Sequence, residues 1–370
     1  MIYLDYQATT PLAPEAREAM LPWLDKFGNP HSPHRPGREA AAAVDLASTE
    51  VATALGDRGS EGRLIFTSGA TEAANWALQG AVMRGARRKI VTIATEHACV
   101  LDTAEWIARQ GMETVILPVL ANGIVDLDAA AAAIDDRTAL VAAMLVNNEI
   151  GVIQPIETLS GLAHDAGALF FCDAVQGFGR VDLPREACDL VAVSAHKVHG
   201  PKGIGALWIR GGLDWPPLIH GGGQQLGLRS GTLSPMLCAG FAAAARLADQ
   251  RRHDDAIHIS MLSSILENPF QDWKVNGDRT MRYPGNLNLR REGVDATRLI
   301  SDVREVAFSA GSACASGSGR PSHVLRALGL SEAQARSSIR LGFGRYTTQE
   351  EVEQAAELIN RAAALQLEWA

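Results

Sequence analysis

Short runs of aliphatic and β-branched residues alternate with Ala-rich stretches whose apolar positions recur at helical spacing. The apolar runs predict strands over Arg63–Thr67, Lys89–Ala94, Thr114–Val119, Ala139–Val146, Ala168–Cys172, Leu190–Ser194 and Gly205–Ile209. The stretches between them predict helices over Thr71–Met83, Val100–Gln110, Leu127–Ile134 and Ile156–Ala166. Strands separated by single helices read as βαβ units and a mostly parallel sheet, because a parallel pair needs a long crossover. The runs at 139–146 and 168–172 are apolar at nearly every position, the pattern of strands buried on both faces. Between Leu190 and Ile209 two strands follow with little helix, which predicts an antiparallel edge.

The pattern changes near residue 250. An Ala-rich helix over about Pro235–Asp249 runs into a polar break, Arg251, Arg252, His253, Asp254 and Asp255. A shorter α+β pattern follows, with strands near Asn286–Leu289 and Ile339–Phe343 and helices near Ala296–Val303 and Val324–Leu328. Thr348 and Glu351 have capping-box spacing ahead of an amphipathic run to about Leu367. A domain boundary is therefore expected near residue 250. The stretch Ser309–Ser322, S-A-G-S-A-C-A-S-G-S-G-R-P-S, has no large apolar side chain to anchor it and is expected to be mobile.

Composition narrows the class. At 370 residues and 47% hydrophobic, the chain can bury a large core and fits one large and one small unit. A net charge of −8 argues against a nucleic-acid surface, which needs a basic stripe. The chain lacks a long apolar span and a basic, apolar leader, so neither a membrane segment nor a secretory signal is expected, and the expected location is cytoplasmic. Cys99, Cys172, Cys188, Cys238 and Cys314 are odd in number and irregularly spaced, with no C-x-x-C. They read as free thiols rather than a disulfide framework or a zinc knuckle.

Candidate chemistry gathers where predicted strands end. Ser194–Gly205 reads S-A-H-K-V-H-G-P-K-G-I-G, placing Lys197 beside a hydroxyl, imidazoles and glycines. A lysine at the mouth of a parallel sheet can form a Schiff base, and Ser194 and His196 can donate to a phosphate. Asp173 ends the buried run F-F-C-D-A-V-Q about one βαβ step before Lys197, so both should lie at one carboxyl edge. A buried carboxylate needs a partner, and a protonated pyridine nitrogen is one. T-S-G-A-T-E-A-A-N, from Thr67, follows a strand and opens a helix, a setting for an anion. T-E-H-A-C places His97 at another strand-to-helix junction, where an imidazole can stack on an aromatic ring and move protons. Asn147, Asn148 and Glu149 follow a further strand.

Together with the opening Y-L-D-Y-Q-A-T-T-P, R-S-G-T and G-S-A-C-A-S-G, these motifs resemble the pyridoxal 5'-phosphate (PLP)-dependent cysteine desulfurases of the NifS/IscS type. The motifs stand in the family order over nearly the whole chain. The resemblance implies an α/β fold, PLP-dependent transferase fold type I, with a mostly parallel seven-stranded sheet in a large domain. It implies a PLP-binding unit over residues 13–250 and a smaller α+β unit from residues 1–12 and 251–370. It implies that Lys197 holds PLP covalently, that Asp173 pairs with the ring nitrogen, and that Gln176 bonds the phenolic oxygen. His97 would stack on the ring, and Ala70, Thr71, Ser194 and His196 would hold the phosphate. Thr232 would reach the phosphate of a second subunit in a homodimer. Asn148 and Arg340 would hold the carboxylate of L-cysteine.

Cys314 would be the nucleophile that takes the substrate sulfur as a persulfide and passes it to an acceptor such as an iron–sulfur scaffold protein. L-Alanine would be the other product. A thiol is mostly protonated near neutral pH, so Cys314 would need a base, for which His97 is the candidate. The chain has Gln225-Leu226 where the family more often has a Glu-Arg pair. Another enzyme of this fold, such as a selenocysteine lyase or a transaminase, and a non-catalytic assembly subunit are the competing readings. A dinucleotide-binding oxidoreductase is disfavoured, because no G-x-G-x-x-G follows a strand.

Overall fold

The computed structural model describes residues 1–59, 61–85, 87–310 and 321–368. The chain enters through a short strand, β1 (Ile2–Tyr3), and two helices, α1 (Pro14–Met20) and α2 (Arg35–Ala54). Next come β2 (Gly62–Thr67), α3 (Ala70–Met83), β3 (Lys89–Ile93), α4 (Ala98–Arg109), β4 (Glu113–Leu117) and α5 (Leu127–Ala133). They are followed by β5 (Thr138–Met144), α6 (Ile156–Asp165), β6 (Leu169–Asp173), β7 (Leu190–Ser194) and β8 (Gly205–Arg210). Helices α1 and α2 lie outside the pattern read from the sequence, although each carries a proline in its first turn, where the fixed φ suits helix entry.

Strands β2 to β8 form one seven-stranded sheet in the order β2-β8-β7-β6-β5-β3-β4. The pairs along β7, β6, β5, β3 and β4 are all parallel. Strand β8 is antiparallel to both neighbours, β7 and β2. The antiparallel strand expected from the sequence is therefore present, but it is not at the edge. The link from β7 carries only a short 3-10 turn, too little for a crossover, so the chain must turn back. Strand β2 then adds outside it as the edge. The N–H and C=O of Phe66 on this edge are taken by the Gln225 side-chain amide at 2.6 and 2.9 Å. Gln225 thus caps a sheet edge, and the nearby ion pair is Arg229 with Glu72 at 2.8 Å.

Alternate residues of each strand enter opposite cores, as a pleated sheet requires. Leu64, Phe66, Phe170, Cys172, Val191 and Val193 pack on the face covered by α2, α6 and the long helix that follows the sheet. Ile65, Phe171, Leu190 and Ala192 pack on the other face, against Ala73, Ala77, Val100 and Ile107 of α3 and α4. Burying both faces directs function to the strand ends, and the carboxyl ends of β2, β3, β5, β6 and β7 lie along one edge.

The long helix is α7 (Pro235–Glu267), and it runs unbroken through the polar segment at 251–255. That segment holds no glycine or proline. Arg251 to Asp254 face solvent, while Asp255 is buried and takes two bonds from Arg345, at 2.6 and 2.9 Å. The polar run is thus one turn of a helix carrying an internal ion pair, and the break expected from the sequence is absent. Asp255→Ala strands the Arg345 guanidinium, which is 4% exposed, without its partner. The expected cost is roughly 3–5 kcal/mol of stability in chemical denaturation; a change below about 1 kcal/mol would contradict this role.

Beyond α7 come β9 (Lys274–Val275), β10 (Asn286–Arg290), α8 (Ala296–Asp302), β11 (Val306–Ala307), α9 (His323–Ala327), α10 (Glu332–Arg336), β12 (Ser338–Gly342) and α11 (Gln349–Glu368). Strands β12, β10 and β9 make an antiparallel sheet, and β11 pairs with β1. Helix α11 starts on the expected capping box, with Thr348 and Glu351 exchanging hydrogen bonds at 2.9 and 3.2 Å. Leu289, Ile339 and Leu341 of this sheet join the same continuous core as α2 and α7. Strand β12 thereby brings Arg340 to the carboxyl edge of the large sheet.

Candidate active site

A cavity of about 550 Å³ opens at that edge, within the roughly 300–1,000 Å³ of small-molecule sites. Ala70, Thr71, His97, Asn148, Asp173, Gln176, Ser194, His196, Lys197 and Arg340 all line it. These are the residues given a site role from the sequence, except two. Thr232 is exposed and is not among the cavity-lining residues, and Cys314 lies outside the described residues.

The donors gather around α3. Its N-cap, Gly69, supplies no side-chain acceptor, so the first-turn N–H groups are left for an anion. The Thr71 hydroxyl lies in that first turn. The Ser194 and His196 side chains, from the end of β7 and the turn after it, add further donors. Burial and the nearby Lys197 and Lys202 charges push His196 down to about 4, so its imidazole is neutral near pH 7.

Asp173 is 5% exposed at the end of β6. Burial pushes its carboxyl above the usual range, while the Val175 N–H, His97 and Lys197 pull the other way. Its Oδ1 accepts from Val175 N–H at 3.0 Å. Lys197, in the turn after β7, donates from Nζ to the carbonyl oxygens of Gln7 and Ala8 at 2.5 and 2.8 Å. His97 caps α4, its Nδ1 accepting the Cys99 N–H at 3.2 Å. In the neutral ring the proton therefore sits on Nε2.

Arg340 is 1% exposed and donates to Asp5 Oδ1 at 2.6 Å and to the Asn148 carbonyl at 3.0 Å. Its Nε is buried without a partner among the described residues, so an acceptor is still owed to the guanidinium.

Sequence reasoning missed several wall residues: Gln7, Ala8, Thr9, Cys99 and Lys202. Residues 7–9 belong to the opening segment, whose motif was legible but whose role depends on a long-range contact with Lys197. Cys99 is the one described cysteine on the wall. Burial, with Asp173 and Glu96 nearby, pushes its thiol well up, so it stays protonated and weakly nucleophilic. Cys172, Cys188 and Cys238 are buried.

Residues 2–355 match the family described as aminotransferase class-V. The chain belongs to the class-V aminotransferase family. It is 44% identical to a cysteine desulfurase IscS of Rickettsia bellii, over 97% of this chain and 90% of that one. A solved NifS-like protein superposes with a TM-score of 0.91 at 32% identity, covering 100% of both chains. SspA, solved in complex with cysteine, superposes with a TM-score of 0.84 at 34% identity, covering 94% of this chain and 100% of that one.

Class-V family members depend on PLP, and the residues present fit that group. Asp173 is a buried carboxylate suited to a protonated ring nitrogen, and the uncapped start of α3 suits a phosphate. Lys197 supplies the amine, and the volume is adequate.

Proposed function

We propose that this class-V protein is a PLP-dependent cysteine desulfurase that converts L-cysteine to L-alanine and retains the sulfur as a persulfide on Cys314. The observation that carries this reading is the convergence of Asp173, Lys197, His97 and Arg340 on one cavity. Near-full-length similarity to cysteine desulfurases supports it.

Arg340 offers a planar fork to the substrate carboxylate, with Asn148 beside it. When bound, PLP supplies an electron sink for the charge left on the α-carbon. Asp173 would keep the ring nitrogen protonated by charge pairing, and Ala70, Thr71, Ser194 and His196 would hold the phosphate. Gln176 would donate to the phenolic oxygen. Lys197 Nζ takes the α-proton, and His97 would contact the ring and exchange protons at Nε2. The Cys314 thiolate attacks the substrate sulfur; an S–S bond forms as the C–S bond breaks, and the bonding pair stays with carbon. Protonation of that carbon leads to alanine. The sulfur on Cys314 then passes to the thiol of an acceptor, such as an iron–sulfur scaffold protein.

In this reading the chain from residue 13 into α7 binds the cofactor, and residues 1–12 with the chain beyond α7 form the smaller unit that carries Cys314, the unbroken α7 joining the two. No helix among the described residues is long and apolar enough to cross a membrane. The proposed place of work is the cytoplasm.

Incubation with PLP and L-cysteine should yield alanine and reducible sulfur in equal amounts. No alanine would overturn the reading, and turnover of selenocysteine alone would move it to a selenocysteine lyase. Thr232, exposed and off its own cavity wall, is read as serving the phosphate site of a second copy in a homodimer. Thr232→Ala should weaken PLP retention about tenfold, the size of one hydrogen bond to a charged group. Equilibrium dialysis measures this, and wild-type retention in the variant would contradict the shared site.

A further inference from the structure

Arg180 is not among the residues lining the main cavity, yet it touches two that are. Its Nη1 donates to Gln176 Oε1 at 2.6 Å, and its Nη2 donates to the Lys197 carbonyl at 2.6 Å. Gln176 Nε2 in turn donates to the Gln7 carbonyl at 2.9 Å, the same oxygen that accepts from Lys197 Nζ. Arg180, Gln176, Gln7 and Lys197 therefore form a closed hydrogen-bonded circuit around one side of the site.

Arg180, at the back of this circuit, is half-buried. Burial holds its pKa below the ordinary arginine value, opposed only by Tyr283 and Tyr6. It sits over the Tyr283 ring at 5.4 Å. Asp255 lines the same small rear cavity but is committed to Arg345. A cation drawn partly out of water, with carbonyl and ring partners and no carboxylate of its own among the described residues, is costly to keep for stability alone.

Two consequences follow for Gln176. Its oxygen is held by a cation and its nitrogen by a carbonyl, so the amide cannot flip and must present N–H as donor. A charged donor on the amide oxygen also polarises the amide and strengthens the remaining N–H as a donor.

We propose that Arg180 is a positioning residue for this reaction: it fixes the Gln176 amide as a polarised donor toward an anionic ring oxygen and locks the backbone that carries Lys197. The inference rests on the PLP reading above.

The test uses the PLP-loaded protein and two variants. R180Q removes the charge and keeps a polar side chain; R180K keeps the charge. R180Q should shift the visible cofactor band and lower kcat about tenfold, the loss of one charge-assisted hydrogen bond, with KM for L-cysteine within about twofold. R180K should return the band to its wild-type position and recover most of kcat. R180Q with a wild-type band and kcat would overturn the inference, whatever happens to its melting temperature. If R180Q does not fold, R180K decides, because a displaced band in folded R180K would overturn the inference and a wild-type band would uphold it. A wild-type protein that takes up no visible band would overturn the PLP reading itself, and the inference with it.

Discussion

Replacing Cys314 with serine is expected to lower alanine formation by roughly three orders of magnitude or more, since no other cysteine among the described residues is placed to supply the nucleophile. Substrate binding should survive, because Arg340, Asn148, Lys197 and Asp173 are untouched. Adding L-cysteine should therefore still perturb the visible cofactor band of the variant, while amino-acid analysis finds almost no alanine. The described cysteines offer no substitute. Cys99 reaches the cavity wall, but burial beside Asp173 and Glu96 keeps its thiol protonated. Cys172, Cys188 and Cys238 are buried and do not line the cavity. Wild-type turnover in Cys314→Ser would assign the sulfur chemistry to another group.

Lys197→Ala is expected to abolish covalent capture of the cofactor and to slow alanine formation by about 10²–10⁴, the usual worth of a positioned general base. Borohydride reduction followed by denaturation should leave the cofactor on wild-type protein and release it from the variant. Non-covalent uptake should persist, because the start of α3, Ser194, His196 and Asp173 are all still present in the variant. The variant should also remove the Nζ donor from the carbonyls of Gln7 and Ala8, leaving that of Gln7 with Gln176 Nε2. A variant that retains cofactor after reduction and denaturation would move the attachment point elsewhere.

Much of this site was legible in the chain because strand ends announce themselves. Asp173 closes a run of buried apolar residues, and His97 and Thr71 open helices directly after strands. Periodicity and capping chemistry are local signals, and they located the parallel strands to within a residue or two. What was not legible depends on long-range pairing. That β8 lies inside the sheet follows from β2 docking outside it, a contact between segments far apart in sequence. The polar run at 251–255 read as a break because its partner, Arg345, lies far along the chain. The same holds for Asp5 on Arg340 and for Gln7 on Lys197. Arg180 carried no motif, since its role exists only once Gln176 and Lys197 have been brought together. Thr232 is exposed and does not line the cavity of its own chain.

The most direct test of the central claim is to incubate the PLP-loaded protein with L-cysteine, alkylate it without reductant, and map added sulfur by peptide mass spectrometry. The account predicts one extra sulfur atom on the peptide containing Cys314, removed by reductant and formed together with alanine. Added sulfur on a different cysteine, or alanine formed with no sulfur on Cys314, would contradict it.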